Sequence, residues 1–469
     1  MNVNEDTMPI EKVQYRKTNN RVSYPSPYQF NLLKYPVIKR LLLWKAFPYV
    51  IQFLFLSALL GLVILSWGVY APAGVDEGLF SKSNLVCLMI WGIWWPLMIW
   101  IMVLAGRVWC MICPLELVSR IGEKTGRLLK INRLAINKPI KSGLIIIGLY
   151  AFVQLLVAGT GLHHIPAYTA YFLTGLIAFS FVIGLIYKNG AFCKGFCPIA
   201  MTLNAYSRGS MLAIRVLSED NCAGCKDKNC VKTTKGNIFD TKSCPGNSYP
   251  PRLKSNKDCL LCGQCIKSCN SDNLQLLLRR PFDIRDEREK TASWIMTAFI
   301  MMDSGFVLGE LAEKWPVADS ILMGIPEFIS GYLGIQAYEG WLAGIWTIFI
   351  FPLIFWTLSG FTLKITGAAG SIKVAWRKYA LQAVIIFSSG HMIKSLLKFS
   401  ESAAWLPLAL KNKPGVYHIY AFNNGIMAEP PQLFSQTLLL LIISVILLSA
   451  IYIIIRENFY SRINNHTSD

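Results

Sequence analysis

Cys259-Leu-Leu-Cys262-Gly-Gln-Cys265-Ile-Lys-Ser-Cys269 is the stretch from which the rest of the chain is read. Its C-x2-C-x2-C-x3-C spacing is that of a bacterial ferredoxin loop. Three cysteines two residues apart wrap one face of a cubane, and the fourth points away to ligate a second cluster. A second set is therefore required. Cys222-Ala-Gly-Cys225, then Cys230 and, after an insertion, Cys244-Pro245 supply it. Crossed ligation gives one [4Fe–4S] cluster to Cys222, Cys225, Cys230 and Cys269. The other falls to Cys259, Cys262, Cys265 and Cys244. Two C-x2-C pairs also suit a zinc ribbon, but zinc takes four ligands and this segment offers eight.

The chain around this segment is apolar. Of 469 residues 54% are hydrophobic and 16% charged, against about a quarter charged in a soluble protein. Eight runs are long enough to span a bilayer: 48–67, 84–106, 142–162, 167–187, 293–312, 341–361, 379–397 and 434–455. A further run, 321–338, contains Pro326, Glu327 and several glycines, and reads as interfacial or re-entrant. The net charge of +19 is concentrated between the apolar runs. There it orients helices in a membrane, and nucleic-acid binding is not indicated. Lys34, Lys39, Arg40 and Lys45 precede the first run; Arg107, Arg120, Lys124, Arg127, Lys130 and Arg133 follow the second. The lysine-rich segment after the fourth, the loop with Lys364, Lys373, Arg377 and Lys378, and the C-terminal Arg456 and Arg462 fall on the same side. The positive-inside rule makes that side cytoplasmic, with both termini and the iron–sulfur segment on it. The polar, basic start does not fit a cleavable signal peptide, so the first run is read as a retained signal anchor.

The expected architecture is mainly α. It is a multi-pass protein of the inner (cytoplasmic) membrane with about eight transmembrane helices and a small α+β ferredoxin-like dicluster insert. Its parts are a cytoplasmic segment 1–47, a four-helix block 48–212, the insert 213–290 and a second four-helix block 291–469. The first block repeats itself. Gly106-Arg-Val-Trp-Cys-Met-Ile-Cys-Pro114 follows its second helix and Gly190-Ala-Phe-Cys-Lys-Gly-Phe-Cys-Pro198 its fourth. If the two hairpins pack side by side, Cys110, Cys113, Cys193 and Cys197 meet at the membrane surface. Four thiolates suit a third Fe–S cluster or a single metal ion, and Arg107 and Lys194 would favour their ionisation. Packing of helix ends, or a redox dithiol, are the alternatives. Cys87 stands alone in an apolar helix and is read as packing.

These paired turns, each after a helical hairpin and followed by a dicluster segment, resemble the NapH/NosR type of membrane-bound polyferredoxin over residues 48–275. Cys193-x3-Cys197-Pro198 carries the family's pattern, and Cys110-x2-Cys113-Pro114 is one residue shorter. The resemblance implies electron transfer in anaerobic respiration between the quinone pool, the clusters and a respiratory reductase or its maturation system.

The second block has no cysteine but places polar groups within apolar runs, where they are functional candidates. Asp303, His391 and Lys394 lie at similar depth and are read as a quinone or proton site, with a helix-tying ion pair as the alternative. The five histidines include no Cys-x2-Cys-His, so covalent haem is excluded on motif grounds. Lys226, Lys228, Lys232, Lys235, Lys254, Lys257 and Lys267 would steer an acidic ferredoxin or flavodoxin, or rest on anionic membrane lipid. The leading function is an electron carrier, as a quinol dehydrogenase subunit would be. A metal-reducing or assembly factor for a respiratory metalloenzyme comes second, ahead of a redox sensor and a transporter.

Overall fold

The computed structural model describes residues 29–231, 244, 248–283, 286, 289, 291–417 and 419–466, with side chains described as far as 458. Lys232, Lys235, Pro245, His418 and the side chains of Arg462 and His466 lie outside the described residues. The short helix α1 (Pro36–Leu43) leads into α2 (Tyr49–Ser66). There follow α3 (Leu85–Leu104), α4 (Pro114–Leu128), α5 (Leu144–Thr160), α6 (Pro166–Ile186) and α7 (Ala200–Tyr206). After the insert come α8 (Trp294–Ala312), α9 (Pro316–Leu333), α10 (Gln336–Ile365), α11 (Ile372–Ala403) and α12 (Gln436–His466).

Seven of these, α2, α3, α6, α8, α10, α11 and α12, are long and apolar enough to cross a membrane. The remaining expected span, 142–162, is α5. Its 17 residues reach only ~26 Å at 1.5 Å per residue, a little short of a ~30 Å hydrocarbon core. Gly143 at φ 92° and Gly161 at φ 61° end it on either side. The run at 321–338 contributes the end of α9, which holds Pro326 in its interior. Ile321, Phe328 and Tyr332 on this helix are largely exposed.

The two hairpins, α2–α3 and α5–α6, end in the two Cys-Pro turns, and α4 and α7 start directly after them. Helix α4 crosses the end of α6 through small residues. A Cβ on Gly184 would stand 2.0 Å from the Ser119 carbonyl oxygen, and one on Gly122 2.3 Å from that of Phe181. Such contact lets two backbones touch. The two membrane blocks share one core, in which Met98, Ile99 and Met102 of α3 pack with Phe299 and Ile300 of α8 and Phe387 of α11.

The insert carries a three-stranded antiparallel sheet in the order β1-β3-β2. Strand β2 (Leu212–Val216) pairs with β3 (Leu274–Leu278) in the register Leu212↔Leu278 to Val216↔Leu274. Strand β1 (Phe30–Asn31) comes from outside 213–290, from the N-terminal segment, and pairs with the other edge of β3. At the far end of the chain Arg456 of α12 donates to the carbonyls of Pro281 (2.8 Å) and Phe282 (3.0 Å). Both ends of the described chain are thus tied to the insert, on the face that bears the Cys-Pro turns.

Replacing Gly184 with alanine should cost about 1–3 kcal/mol through overpacking, read as a lowered unfolding temperature of the detergent-purified protein. An unchanged melt would mean that α4 does not sit against α6 this closely.

Candidate metal centre

The loop 259–265 curls because Leu261 (φ 54°) and Gly263 (φ 69°) occupy the left-handed region. Glycine adopts it freely, whereas leucine does so only when its surroundings demand it. Leu261 is buried with Ile214, Ile266 and Leu274, which supplies that demand. Asn256 fixes the approach to the loop by donating to the carbonyls of Ser210 and Leu212, both at 3.0 Å. The insert thiols then fall into two electrostatic groups. Cys230 is influenced by Cys269, Cys222 and Cys225. Cys265 is influenced chiefly by Cys262, Cys259 and Cys244. Cys269 faces the first group although it follows the second in sequence.

The donor set fits a polynuclear iron centre. Burial pushes the Cys262 thiol up to about 12 and the Cys230 thiol up to about 11, with neighbouring cysteines adding to both. Four such sulfurs ionise together only when a cationic centre joins them. Polar hydrogens aim at the sulfurs: Asn273 Nδ2 lies 3.1 Å from Cys222 Sγ, and the Ser248 N–H 3.3 Å from Cys244 Sγ. Among the described residues no group of three or more His, Cys, Asp or Glu side chains is disposed to hold a single metal ion. Thiolates at ~2.3 Å from one tetrahedral zinc would sit about 3.8 Å apart, whereas a cubane spaces its ligands more widely.

Cys110, Cys113, Cys193 and Cys197 also form one group, since the three others all act on Cys193. The extra residue of the second turn is absorbed by a wide helical turn over Phe192–Phe196, in which the Cys197 N–H bonds to the Phe192 carbonyl at 2.8 Å. Both turns therefore end alike. Cys113 (ψ 124°) and Cys197 (ψ 117°) are extended, and each precedes a proline: Pro114 starts α4, and Pro198 sits in the turn that leads into α7 at Ala200. The N–H groups of Leu115 and Glu116 approach the Cys113 sulfur, and those of Ile199 and Ala200 the Cys197 sulfur. Unpaired N–H groups at a helix start favour a thiolate there. Burial opposes it and pushes Cys197 up to about 12.

Arg107 is buried between this group and the insert. Burial works against its charge, yet its value is raised because Cys110, Cys193 and Cys197 face it. Its Nη1 donates to the Lys257 carbonyl at 3.1 Å, two residues before Cys259. Glu116 at the start of α4 accepts from Gln52 Nε2 of α2 at 2.9 Å and pairs with Arg120 on its own helix, which fixes the first turn within the membrane block. Glu123 on α4 accepts the Gly190 N–H at 2.6 Å and so holds the second Cys-Pro turn against the first repeat. Lys194 instead donates to its own turn, to the Asn189 carbonyl at 2.7 Å.

In the second block Asp303 and His391 are joined and Lys394 is not. Tyr206 donates to Asp303 Oδ2 at 2.8 Å and lies 3.1 Å from His391 Nδ1; Tyr150 donates to Asp303 Oδ1 at 3.2 Å. Lys394 pairs with Glu310. Tyr206 was not legible as a site residue, because a tyrosine in an apolar helix looks like core. Glu310 had a signal: it lies seven residues after Asp303, two turns along the same helix face.

The chain is similar to the ferredoxin-type protein NapH of Haemophilus influenzae. The two are 26% identical over 176 residues, which is 36% of this chain and 61% of the relative's length. No family model matches the chain, and no solved structure matches it.

Asp286 secures the insert. Arg215 Nη2 and Arg279 Nη1 each donate to its Oδ1 at 2.7 Å. Burial raises the carboxyl, but the two guanidinium groups outweigh it and hold Asp286 below the usual carboxylate range. Its stabilisation is complete above the unfolded value of about 3.9 and is lost as pH falls through the lower folded value. Asp286→Asn should cost about 3 kcal/mol at pH 7, because the buried Arg279 and the half-buried Arg215 lose their counter-charge. Thermal melts of the two proteins should begin to converge as pH falls below ~3.9 and meet below the lower folded value, and a pH-independent difference would remove this ion network as the cause.

Proposed function

We propose that this protein is a membrane-bound iron–sulfur electron carrier. Cys222, Cys225, Cys230 and Cys269 would hold one [4Fe–4S] cluster, and Cys244, Cys259, Cys262 and Cys265 the other. Cys110, Cys113, Cys193 and Cys197 would hold a third Fe–S cluster. The observation that carries the reading is the crossed grouping, with Cys269 among the 222–230 thiols and Cys244 among the 259–265 thiols. The likeness to a protein named as ferredoxin-type adds to it.

The bound clusters would supply one-electron chemistry with little change of shape. The chain's own residues orient and insulate. Arg107 spans the contact between the membrane-surface thiols and the Cys259 loop, and its fixed charge favours added electron density on both sides. Lys267 donates to the Trp44 carbonyl at 2.8 Å, which pins the loop after Cys265 to the start of the membrane block. Electrons would pass between the quinone pool, near Asp303 and His391, and a respiratory reductase, with the insert facing the cytoplasm. Lys226, Lys228 and Lys254 would offer a cytoplasmic ferredoxin or flavodoxin its docking charge.

Iron counting with EPR tests the assignment. Cys269→Ser and Cys244→Ser should each remove about four irons and abolish different signals. Loss of the same signal in both variants would overturn the crossed grouping. The wild type should hold about twelve irons, falling by four in Cys197→Ser; a wild-type count of eight would leave the membrane-surface thiols without a cluster.

A further inference from the structure

A cavity of about 720 Å³ opens on the side opposite the cysteines and is lined in part by His163, His164, Glu310, Lys394, Lys398 and Phe306. Charged side chains at membrane depth are expensive unless they pair or meet water. Lys394 pairs with Glu310, and nearer the mouth Lys314 pairs with Glu401 at 3.2 Å and Lys82 with Glu429 at 3.5 Å. His163 and His164 lie with ring centres 3.8 Å apart and planes tilted by 47°, and burial pushes His164 down to about 4, so its ring is neutral at pH 7. A cavity with this lining is hydrated rather than filled by lipid tails.

Its inner end stops one ring short of His391. Phe306 lines the cavity and packs on His391 with centroids 5.7 Å apart. Because Tyr206 donates its proton to Asp303, its oxygen is left to accept from His391, which places the imidazole proton on Nδ1. Nε2 is then a base, and it is buried without a hydrogen-bond partner. His391 is 2% exposed. Titratable groups facing this network are Asp303 and Glu310 on α8, Tyr206 on α7, Tyr150 on α5 and Lys394 on its own helix. The other neighbouring surfaces present Trp95 of α3, Ile348 and Trp356 of α10 and Ile446 of α12, all uncharged.

The same network touches the cysteine end. Helix α7 begins three residues after Cys197 and ends at Tyr206, a separation of ~13 Å at helical rise. Rings of Trp109, Trp94, Trp95 and His391 follow one another at 5.3, 6.1 and 6.4 Å, and Trp109 adjoins Cys110. A charge added at the membrane-surface thiols is therefore felt at His391 through low-dielectric protein.

We propose that this cavity is the inlet of a proton path ending at His391 Nε2, with Phe306 as its gate, and that it couples proton uptake from the face opposite the cysteines to reduction at the Cys-Pro centre. One electron enters the centre from a reductant; one proton leaves cavity water, crosses the Lys394–Glu310 pair and forms an N–H bond at Nε2. Both are returned on oxidation, and no other bond forms or breaks. The proposal rests on the electron-carrier reading.

The test is an EPR redox titration of the full-length protein between pH 6 and 8.5. One midpoint potential should fall as pH rises in the wild type and lose that slope in His391→Gln at unchanged iron content. If His391→Gln loses iron, Tyr206→Phe serves instead, and it should displace the pH range of the slope. A pH-independent wild-type potential, a slope kept in iron-replete His391→Gln, or a slope at the wild-type pH range in iron-replete Tyr206→Phe overturns the proton path. Absence of any Fe–S signal overturns the electron-carrier reading instead. Photoreduction in weakly buffered solution with a pH indicator separates path from terminus: Glu310→Gln should slow proton uptake several-fold without changing its extent. Uptake at the wild-type rate would remove the cavity from the path.

Discussion

A cysteine placed directly before a proline that leads into a helix is the constraint from which the rest follows. Proline has no N–H and a fixed φ, so it opens a helix at little cost while forcing the preceding residue to stay extended. The next N–H groups have no helical partner, and they converge on the sulfur just before them. In this protein the arrangement occurs twice, at Cys113 and Cys197, and the two turns face each other because α4 lies across the end of α6. Gly184 and Gly122 permit that crossing, since a single Cβ at either would strike a carbonyl oxygen. A carboxylate from the first repeat, Glu123, then takes the free N–H at the head of the second turn.

The insert is seated on this platform by polar groups that would be costly to bury unpaired. Arg107 reaches the Lys257 carbonyl and Asn256 bonds to Ser210 and Leu212, so the cysteine loop is positioned from both the membrane side and its own sheet. The sheet is closed by a strand from the N-terminal segment, and the last helix returns Arg456 to the insert's far edge. Distant parts of the chain meet at one layer, the layer that holds every cysteine group.

The second membrane block presents the converse problem, polar groups surrounded by apolar core. Asp303 meets two tyrosine hydroxyls and Lys394 meets Glu310, while Nε2 of His391 is buried without a hydrogen-bond partner. Such an orphan is informative, because a buried acceptor without a donor has a cost that nothing local offsets.

By itself the sequence determined the membrane class, the position of the spans and the grouping expected of the insert cysteines. Those features rest on local properties: apolar run length, loop charge and ligand spacing, each legible within a few tens of residues. Helix α5 marks the limit of that reading, since bounding glycines shorten a span that composition alone extends. Only the tertiary structure decided that a one-residue difference between the Cys-Pro turns is absorbed by a widened helical turn, and that β1 belongs to the insert. It also decided that Lys394 serves Glu310 while Tyr206 joins Asp303 to His391. Depth along a helix can be counted from sequence, but which face turns toward which neighbour is set by packing between helices 84 to 185 residues apart along the chain.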